Sequence, residues 1–471
     1  MNYNVFTNKV QEVQIAYIGG GSRGWAWTFM TDLSMEDSLS GTIRLYDIDE
    51  SAAKNNEIIG NHLTSRLDTV GDWKYITSSS LKEALIGADF VVISILPGTF
   101  DEMESDVHLP ERLGIYQSVG DTAGPGGIIR ALRTIPMFVE IGEAIKKFSP
   151  NAWVINYTNP MSLCVKTLYH VFPQIKAFGC CHEVFGTQKV LKGICEQTLG
   201  IEEIDRRDIQ VNVLGINHFT WFDQASYKGI DLFPIYRHFI EEHFEEGYLE
   251  PDRNWMNSTF NCAHRVKFDL FCRFGLIAAA GDRHLAEFIP GEEYLKNPET
   301  VKKWKFGLTT VAWRKEDLKQ RLERSARLVK QEEEIPLKPT GEEGILLIRA
   351  LCGLDRIISN VNIPNTMLQI PNLPASAVVE TNAVFSYDSI KPIIVGSLPE
   401  NVLSLIKPHI NNHEIVLKAA LTYNRELVYE AFRCDPLVKG RISHEQLTKL
   451  ADCMIQNTRA YLPREWMEYV S

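Results

Sequence analysis

The chain has no excess of positive charge and no long hydrophobic run, and its first residues do not have the pattern of a secretory leader. Its 471 residues include 49 lysines and arginines against 60 acidic residues, and no basic run offsets the net charge of −11. Such a field repels polyanions, so nucleic acid is not an expected partner. No stretch of about 18 apolar residues occurs, and no basic segment precedes an apolar one at the start. We therefore expect no signal peptide and no membrane contact.

Cysteine is present, but without the spacing of a disulfide framework. The nine cysteines are scattered and odd in number, which favours reduced thiols in a cytoplasmic enzyme over a disulfide-bonded secreted domain. The overall composition, 45% hydrophobic and 23% charged, is that of a globular protein. At about 150 residues per domain, the length favours two or three domains.

A glycine-rich turn near the N-terminus predicts a dinucleotide site. An apolar strand-like segment runs into G-G-G-S-R-G at positions 19–24, and a helical segment follows. In this G-x-G-x-x-G pattern Gly19 permits the tight turn, Gly21 lets the backbone approach pyrophosphate, and Gly24 allows close helix packing. With Ser22 and Arg23 in the same loop, the phosphates would bind the N–H groups at the helix N-terminus.

An acidic residue follows the second predicted strand at the distance that favours NAD over NADP. Asp47 stands 23 residues after Gly24, where a carboxylate commonly binds the ribose hydroxyls and disfavours a 2′-phosphate. The alternative interpretation is that Asp47 only caps the turn before Asp49. We expect cofactor binding to be its function.

The first 200 residues alternate between apolar strands and helical segments. This alternation predicts an α/β fold with a Rossmann-type, doubly wound sheet. We expect residues 1–200 to form the NAD-binding domain. Residues 201–471 would form a mixed α+β domain for substrate binding and oligomerisation, with the active site at the interface.

A dense group of reactive side chains follows the strand predicted to end at Gly179. Cys181, His182 and Glu183 stand at its carboxyl end, and His218 follows a second strand-like segment. A thiol and an imidazole from two strand ends could bind a divalent transition ion and leave positions open for substrate oxygens. The alternatives are that Cys181 is a small buried hydrophobe and that Glu183 only interacts with a helix dipole.

A third group, Asp282, Arg283 and His284, stands in a predicted loop after an apolar stretch. Solvated surface charge is the simpler interpretation of these residues. The apolar residues at 276–280, however, indicate that the loop emerges from buried structure.

These motifs together resemble the NAD-dependent glycosidases of glycoside hydrolase family 4 over almost the whole chain. The resemblance rests on the glycine turn and Asp47, on Asn156-Tyr157-Thr158-Asn159-Pro160, on Cys181-His182-Glu183-Val184, on Gly215-Ile216-Asn217-His218, and on the late segments at 362–365, 372–374 and 379–380. It implies glycoside cleavage with NAD and Mn²⁺ as cofactors. In that route carbon 3 is transiently oxidised, carbon 2 loses a proton, the metal stabilises the enediolate, and the bond breaks by elimination before water adds.

The resemblance also assigns roles to individual residues. It implies that Cys181 and His218 are the metal ligands, that Asn159 binds substrate, and that His182 donates a proton. Many members have a tyrosine base in the region of Asp282, where this loop has none. Asp282 resembles the aspartate of the non-phosphorylated α-glucosidase branch, and this resemblance implies that Asp282 is the base.

The four residues that begin at the metal cysteine resemble the α-galacturonidase branch of the family. A uronic acid glycoside requires a cation for its carboxylate, for which we predict Arg283 first and His284 second. Glu183 would then contact sugar hydroxyls. An α-glucosidase or α-glucuronidase of the same family, an NAD-dependent hydroxy-acid dehydrogenase, and a non-catalytic NAD sensor are the alternatives. We expect a homodimer or homotetramer.

Overall fold

The computed structural model describes residues 1–249, 262–308 and 310–468. In these ranges the strands are β1 (Asn2–Asn4), β2 (Lys9–Ile18), β3 (Leu39–Tyr46), β4 (Asp72–Thr77), β5 (Phe90–Ile93), β6 (Trp153–Asn156), β7 (Lys176–Gly179), β8 (Ile209–Ile216), β9 (Phe219–Tyr227), β10 (Ile230–Asp231), β11 (Ile277–Ala278), β12 (Ile357–Pro364), β13 (Val378–Ser386) and β14 (Ser389–Pro392).

The α-helices of the same ranges surround these strands. They are α1 (Trp25–Ser34), α2 (Glu50–Thr64), α3 (Leu81–Leu85), α4 (Phe100–His108), α5 (Gly124–Phe148), α6 (Met161–Val171), α7 (Glu183–Leu199), α8 (Leu232–His243), α9 (Arg265–Phe274), α10 (Asp282–Leu285), α11 (Gly291–Tyr294), α12 (Pro298–Lys303), α13 (Val311–Val329), α14 (Gly344–Leu351), α15 (Glu400–Thr422), α16 (Arg425–Cys434) and α17 (His444–Asn457). None of the helices in the described ranges has the length and apolar content needed to cross a membrane.

One continuous sheet organises the chain, with the order β10-β9-β8-β13-β12-β7-β6-β5-β2-β3-β4. The six strands from β7 to β4 are parallel, as expected for strands covered by helices on both faces. From β7 to β10 the pairing is antiparallel. The predicted α/β fold, a Rossmann-type sheet followed by a mixed α+β part, is therefore confirmed.

The strand order reverses direction beside β2, which places the dinucleotide turn at the switch point. β2 lies between β3 and β5, and chain connections leave it toward both sides of the sheet. Ligands of doubly wound sheets bind in the crevice that such a reversal leaves at the carboxyl ends of the strands. The ends of β2, β5, β6 and β7 face this crevice.

Buried apolar side chains cover both faces of the sheet. The strand residues Val92 and Phe178 pack with the buried side chains of α1 and α14 on one face. Val91 and Val154 pack against α5 and α6 on the other. This double cover explains the nearly continuous apolar runs of β5 and β6. It also fixes the strand ends, where the polar side chains of the crevice begin.

Candidate active site

The glycine turn after β2 adopts the geometry that the sequence pattern predicts. The N–H groups of Gly19 and Gly20 both donate to the carbonyl of Tyr46 at 2.9 Å. Gly19 has a φ of +91°, and a Cβ there would lie 2.0 Å from the carbonyl oxygen of Ser94. Only glycine fits this position, because the turn crosses close above the end of β5.

Asp47 supports the turn and lies where the dinucleotide motif requires an acid. Its Oδ2 accepts from the N–H of Gly21 at 2.9 Å, and its Oδ1 accepts from that of Asp49 at 2.9 Å. The turn-capping alternative and the cofactor prediction are thus compatible, since each carboxylate oxygen has a second lone pair. A Cβ on Gly21 would lie 2.6 Å from that of Ala52, so the concave face of the turn has no room for a side chain.

The remaining predicted cofactor residues line the same turn. The N–H of Ser22 donates to Gly19 at 3.0 Å, and the guanidinium of Arg23 lies 3.7 Å from the carboxylate of Asp49. Sequence reasoning missed Asn56, whose Nδ2 donates to the carbonyls of Gly20 at 2.7 Å and Ser22 at 3.0 Å. Asn56 belongs to α2, and no local pattern ties it to the turn.

Cys181 and His218 are both buried, and they follow strands on opposite sides of the β12–β13 pair. Cys181 follows β7 and His218 follows β8. The side chain of Asn217, next to His218 in the chain, interacts with the Cys181 thiol, and Glu183 is an electrostatic neighbour of both residues. Burial raises the pKa of the Cys181 thiol well above its ordinary value, so metal binding would displace its proton.

His218 is joined by two further potential ligands. The ligand atoms of Asp121, His218 and His284 lie within 4.8 Å of one another, and the two imidazole centroids are 3.8 Å apart. Burial, followed by the neighbouring His284, lowers the pKa of His218 to about 3, and burial also lowers that of His284. Both rings are therefore neutral at neutral pH, which is the form that binds a metal.

Several buried polar atoms of this cluster lack a hydrogen-bond partner within the described part of the chain. They include Nδ1 of His284 and Oδ1 of Asn159, whereas Nδ2 of Asn159 donates to Asp121 at 3.3 Å. Buried polar atoms are almost always paired. Thiol, imidazole and carboxylate donors beside unpaired polar atoms fit a divalent transition ion and a polar substrate.

Glu183 connects the residues that follow β7 to helix α10, which carries His284. As the first residue of α7, it is placed at a helix N-terminus, as one interpretation of the sequence expected. Its Oε2 also accepts from the N–H of Gly281 at 2.6 Å, and its Oε1 lies 3.6 Å from Nε2 of His284 and 3.8 Å from that of His182.

His182 lies between this cluster and the dinucleotide turn. Its side chain is 47% exposed, which distinguishes it from the buried imidazoles of the cluster. The ring centroid lies 5.8 Å from that of Trp25, the first residue of the helix after the glycine turn. Trp25 in turn stacks on Tyr157, with centroids 5.4 Å apart. A partly exposed imidazole thus lies beside the helix that follows the dinucleotide turn.

The structure does not bring Asp282 to this cluster. The segment predicted as a loop forms the short helix α10, and the fully buried carboxylate of Asp282 faces the N-terminus of α9. There Oδ2 accepts from the N–H of Val266 at 3.1 Å, and Oδ1 accepts from that of Lys267 at 3.2 Å. Asp282 also lies within 4.8 Å of the ligand atoms of Cys262 and His264.

Arg283 is held at the edge of the cluster by backbone carbonyls. Its Nη2 donates to Ser118 at 2.7 Å and its Nε to Gly307 at 3.2 Å. Glu183 and Asp121 are among its electrostatic neighbours. The guanidinium is therefore fixed in position beside the acidic and imidazole groups of the crevice.

Sequence reasoning also missed Asp121, the third member of the group with His218 and His284. It stands in the segment S-V-G-D-T-A-G-P-G-G just before α5, and its carboxylate reaches His218 and His284. An acid within a glycine-rich loop before a helix was a detectable signal. His218 and His284 stand far from Asp121 in the chain, however, so the sequence alone did not indicate that the three residues form a cluster.

Comparison with known proteins gives a consistent result over the whole chain. A model described as family 4 glycosyl hydrolase matches residues 14–197, and one described as the C-terminal domain of that family matches residues 213–438. An alpha-galacturonidase of Lachnoclostridium phytofermentans is 71% identical over 466 residues, which cover 99% of this chain and 100% of that protein.

Solved structures show the same similarity. The crystal structure of a Bacillus subtilis protein named a glucosidase is 53% identical, with a TM-score of 0.89 over 94% of this chain and all of that one. A 6-phospho-beta-glucosidase from Thermotoga maritima, solved with manganese, NAD⁺ and glucose-6-phosphate, has a TM-score of 0.75 at 22% identity, over 96% of this chain and 99% of the other. This second likeness concerns the fold.

Proposed function

Because the chain belongs to the family 4 glycosyl hydrolases, we propose that it hydrolyses α-galacturonides with NAD and a divalent metal as cofactors. The main support for this substrate is the 71% identity, over 99% of this chain, to a protein named alpha-galacturonidase. Within the segment Cys181-His182-Glu183-Val184, His182 lies beside Trp25 after the dinucleotide turn and Glu183 lies beside His284 of the Asp121–His218–His284 cluster, which supports the proposal.

The metal, which we propose to be Mn²⁺, would be held by Cys181 and His218, with Asp121 and His284 beside it. When bound, it supplies a Lewis acid that polarises substrate oxygens. The neutral imidazole of His218 is kept in orientation by the contact of its Nδ1 with Thr122 Oγ1 at 3.0 Å. Such a contact selects the ring nitrogen available to a ligand.

NAD would be held by the turn at 19–24 and by Asp47. When bound, it supplies a hydride acceptor that returns the hydride at the end of each turnover. The chain contributes the tight approach at Gly21 and the N-terminus of α1, whose unpaired N–H groups favour a phosphate. Trp25 directly follows this turn, and its ring lies 5.8 Å from that of His182. The cofactor and the proposed proton donor would therefore share one crevice.

Proton transfer and sugar binding would use residues that face the crevice. We propose that His182 protonates the departing glycosidic oxygen, because it is the exposed imidazole at this place and Glu183 can orient it. Asn159 would bind sugar hydroxyls. Its backbone carbonyl accepts from Nε of Arg130 at 3.1 Å, which holds the residue in place, and its side-chain Oδ1 has no hydrogen-bond partner among the described residues. Arg283 is our candidate for the uronate carboxylate, with His284 second.

The substrate proposal is tested with four aryl α-glycosides, namely galacturonide, glucuronide, galactoside and glucoside, assayed with NAD⁺, Mn²⁺ and a reductant. We expect the galacturonide to have the highest kcat/KM, by at least about tenfold, because a bidentate charge pair contributes over about 1.4 kcal/mol. Arg283→Lys should reduce this preference, since lysine lacks the planar fork. Equal rates for galacturonide and galactoside would contradict the proposal.

An α-glucosidase is the second candidate, because the Bacillus subtilis protein of known structure carries the name glucosidase. The same panel decides between them. Net accumulation of NADH at 340 nm without glycoside cleavage would instead indicate a hydroxy-acid dehydrogenase. Tight NAD binding without metal uptake or catalysis would indicate a sensor.

We also propose a reducing, cytoplasmic setting and a homo-oligomer. All nine cysteines are free, and the buried ones near the crevice or the sheet include Cys164, Cys180, Cys181 and Cys195. Oxidation of a buried thiol at the metal site would remove a ligand. Size-exclusion chromatography with light scattering tests whether the protein is a dimer or tetramer.

A further inference from the structure

Four buried polar side chains form a group directly behind Cys181. They are Asn217, Asn360, Asn362 and Glu380, and none has more than 4% of its surface exposed. Strand register brings them together: Asn362 is opposite Gly179 of β7 and also opposite Glu380, and Glu380 is opposite Gly215 of β8. We call these four side chains the asparagine–glutamate group.

The group contacts both loops that carry the proposed metal ligands. The Nδ2 of Asn360 donates to the backbone carbonyl of Cys181 at 3.1 Å and to Oε1 of Glu380 at 2.7 Å. On the other side, the amide of Asn217 lies against both Glu380 and the Cys181 thiol. Glu380 thus joins the end of β7 to the turn that begins at Asn217.

That turn requires support, because its backbone is unfavourable. Gly215 has a φ of +148° and His218 a φ of +62°. A non-glycine residue in the left-handed region costs about 1–2 kcal/mol, so surrounding contacts must hold it there. The amide of Asn217, adjacent to His218, is the side chain through which Glu380 reaches this turn.

The asparagine–glutamate group is also costly for the sheet. A buried carboxylate and three buried amides replace apolar side chains at the centre of the antiparallel strands. Oε2 of Glu380, Oδ1 of Asn360 and both amide atoms of Asn217 and Asn362 have no hydrogen bond of good geometry among the described residues. Such a concentration of buried polar groups with imperfect hydrogen-bond geometry is uncommon in a core and is typical of functional sites.

We infer that Glu380 is a positioning residue that sets the separation of Cys181 and His218 through Asn360 and Asn217. The inference rests on the proposed role of these two residues as metal ligands. Its alternative is that the group only joins the strands. A joint of that kind would contribute to stability and leave the metal affinity of the folded protein unchanged.

The test compares Glu380→Gln with Asn382→Ala in the full-length protein. The glutamine side chain of the first variant would have nearly the same volume as the glutamate but would present an amide to the surrounding amides. Asn382 is a matched control, because it lies two residues further along β13 and its Oδ1 accepts from the N–H of Val213 of β8 at 2.7 Å. Both changes therefore alter a β13 side chain that bonds to a neighbouring strand, but only Glu380 belongs to the asparagine–glutamate group.

Metal affinity is measured by the electron paramagnetic resonance signal of free Mn²⁺, and the thiolate ligand by the Co²⁺ charge-transfer absorption. Loss of a residue that orients metal ligands weakens binding by about 10- to 100-fold. We expect this loss, with a weaker Co²⁺ band, for Glu380→Gln and a nearly unchanged Mn²⁺ Kd for Asn382→Ala. Similar Kd values for wild type and Glu380→Gln would overturn the inference, whatever the change in melting temperature.

Two further variants cover the case in which Glu380→Gln does not fold and the case in which the metal assignment is wrong. If Glu380→Gln does not fold, Asn360→Ser removes the link to the Cys181 carbonyl and should weaken Mn²⁺ binding in the same direction; an unchanged Kd overturns the inference. Cys181→Ser identifies failure of the proposed function. If that variant binds Mn²⁺ as wild type does, the metal assignment itself is wrong. If it loses Mn²⁺ while Glu380→Gln does not, only the positioning role is rejected.

Discussion

Replacing Asp282 separates a structural from a catalytic role for this carboxylate. Its two oxygens accept from the N–H groups of Val266 and Lys267 at 3.1 and 3.2 Å, and the side chain is completely buried. A hydrogen bond to a charged acceptor contributes about 1.5–3 kcal/mol. Asp282→Ala should therefore lower the free energy of unfolding by about 3–6 kcal/mol, far more than the ~1 kcal/mol of an exposed helix cap.

Asp282→Asn is the informative variant, because it removes the charge and keeps one oxygen acceptor. We expect it to lower the free energy of unfolding by about 2 kcal/mol, since one helix N–H then faces an amide instead of a carboxylate. Both oxygens of Asp282 accept hydrogen bonds from helix N–H groups, so exchange of the carbon 2 proton with solvent deuterium should persist. Urea unfolding followed by tryptophan fluorescence and mass spectrometry of the sugar measure the two effects.

Asp231→Asn provides the matched control for this experiment. Asp231 caps α8 by accepting from the N–H of Phe233 at 3.0 Å, and it is exposed. Its replacement should change stability by less than about 1 kcal/mol and leave exchange unaffected. If Asp282→Asn keeps wild-type stability but loses carbon 2 exchange, the capping argument is refuted and Asp282 is the base. The sequence resemblance predicts Asp282 as the base, the hydrogen bonds to α9 favour a structural role, and the exchange measurement decides between the two.

Two more predictions follow from buried positions. Gly21→Ala should weaken NAD⁺ binding by about tenfold or more in calorimetry, because its Cβ would lie 2.6 Å from that of Ala52; an unchanged Kd would contradict the placement of the dinucleotide. Burial raises the pKa of Glu287 from 4.5 to about 8, although the N–H groups of Val119 and Gly120 oppose this. The folded state therefore retains a proton that the unfolded state loses above pH 4.5, and stability falls by up to about 1.4 kcal/mol per unit as pH rises toward about 8. Glu287→Gln should lack this slope, so its melting temperature should rise relative to wild type between about pH 5 and 8; parallel curves would refute the argument.

Most of the parallel half of the fold could be predicted from local sequence. The glycine turn at 19–24, the apolar strands before it and after α3, and the helix that follows it are properties of short segments with strong periodicity. The start of α5 could not be predicted in this way, because the helix begins at Gly124 within a glycine–proline segment that is atypical of helices. The family resemblance is confirmed by matches over residues 14–197 and 213–438.

The sequence by itself determined that Cys181 and His218 follow strands and that Asp47 follows the glycine turn, since each depends only on neighbouring residues. The tertiary structure decided which side chains meet. Asp121 reaches His218 across 97 positions, whereas Asp282, one residue before Arg283, faces a helix N-terminus instead of the crevice. Only the pairing of β12 and β13 between β7 and β8 places Glu380 behind the thiol. Strand register and side-chain direction arise from contacts between distant segments, and a local pattern carries no information about them.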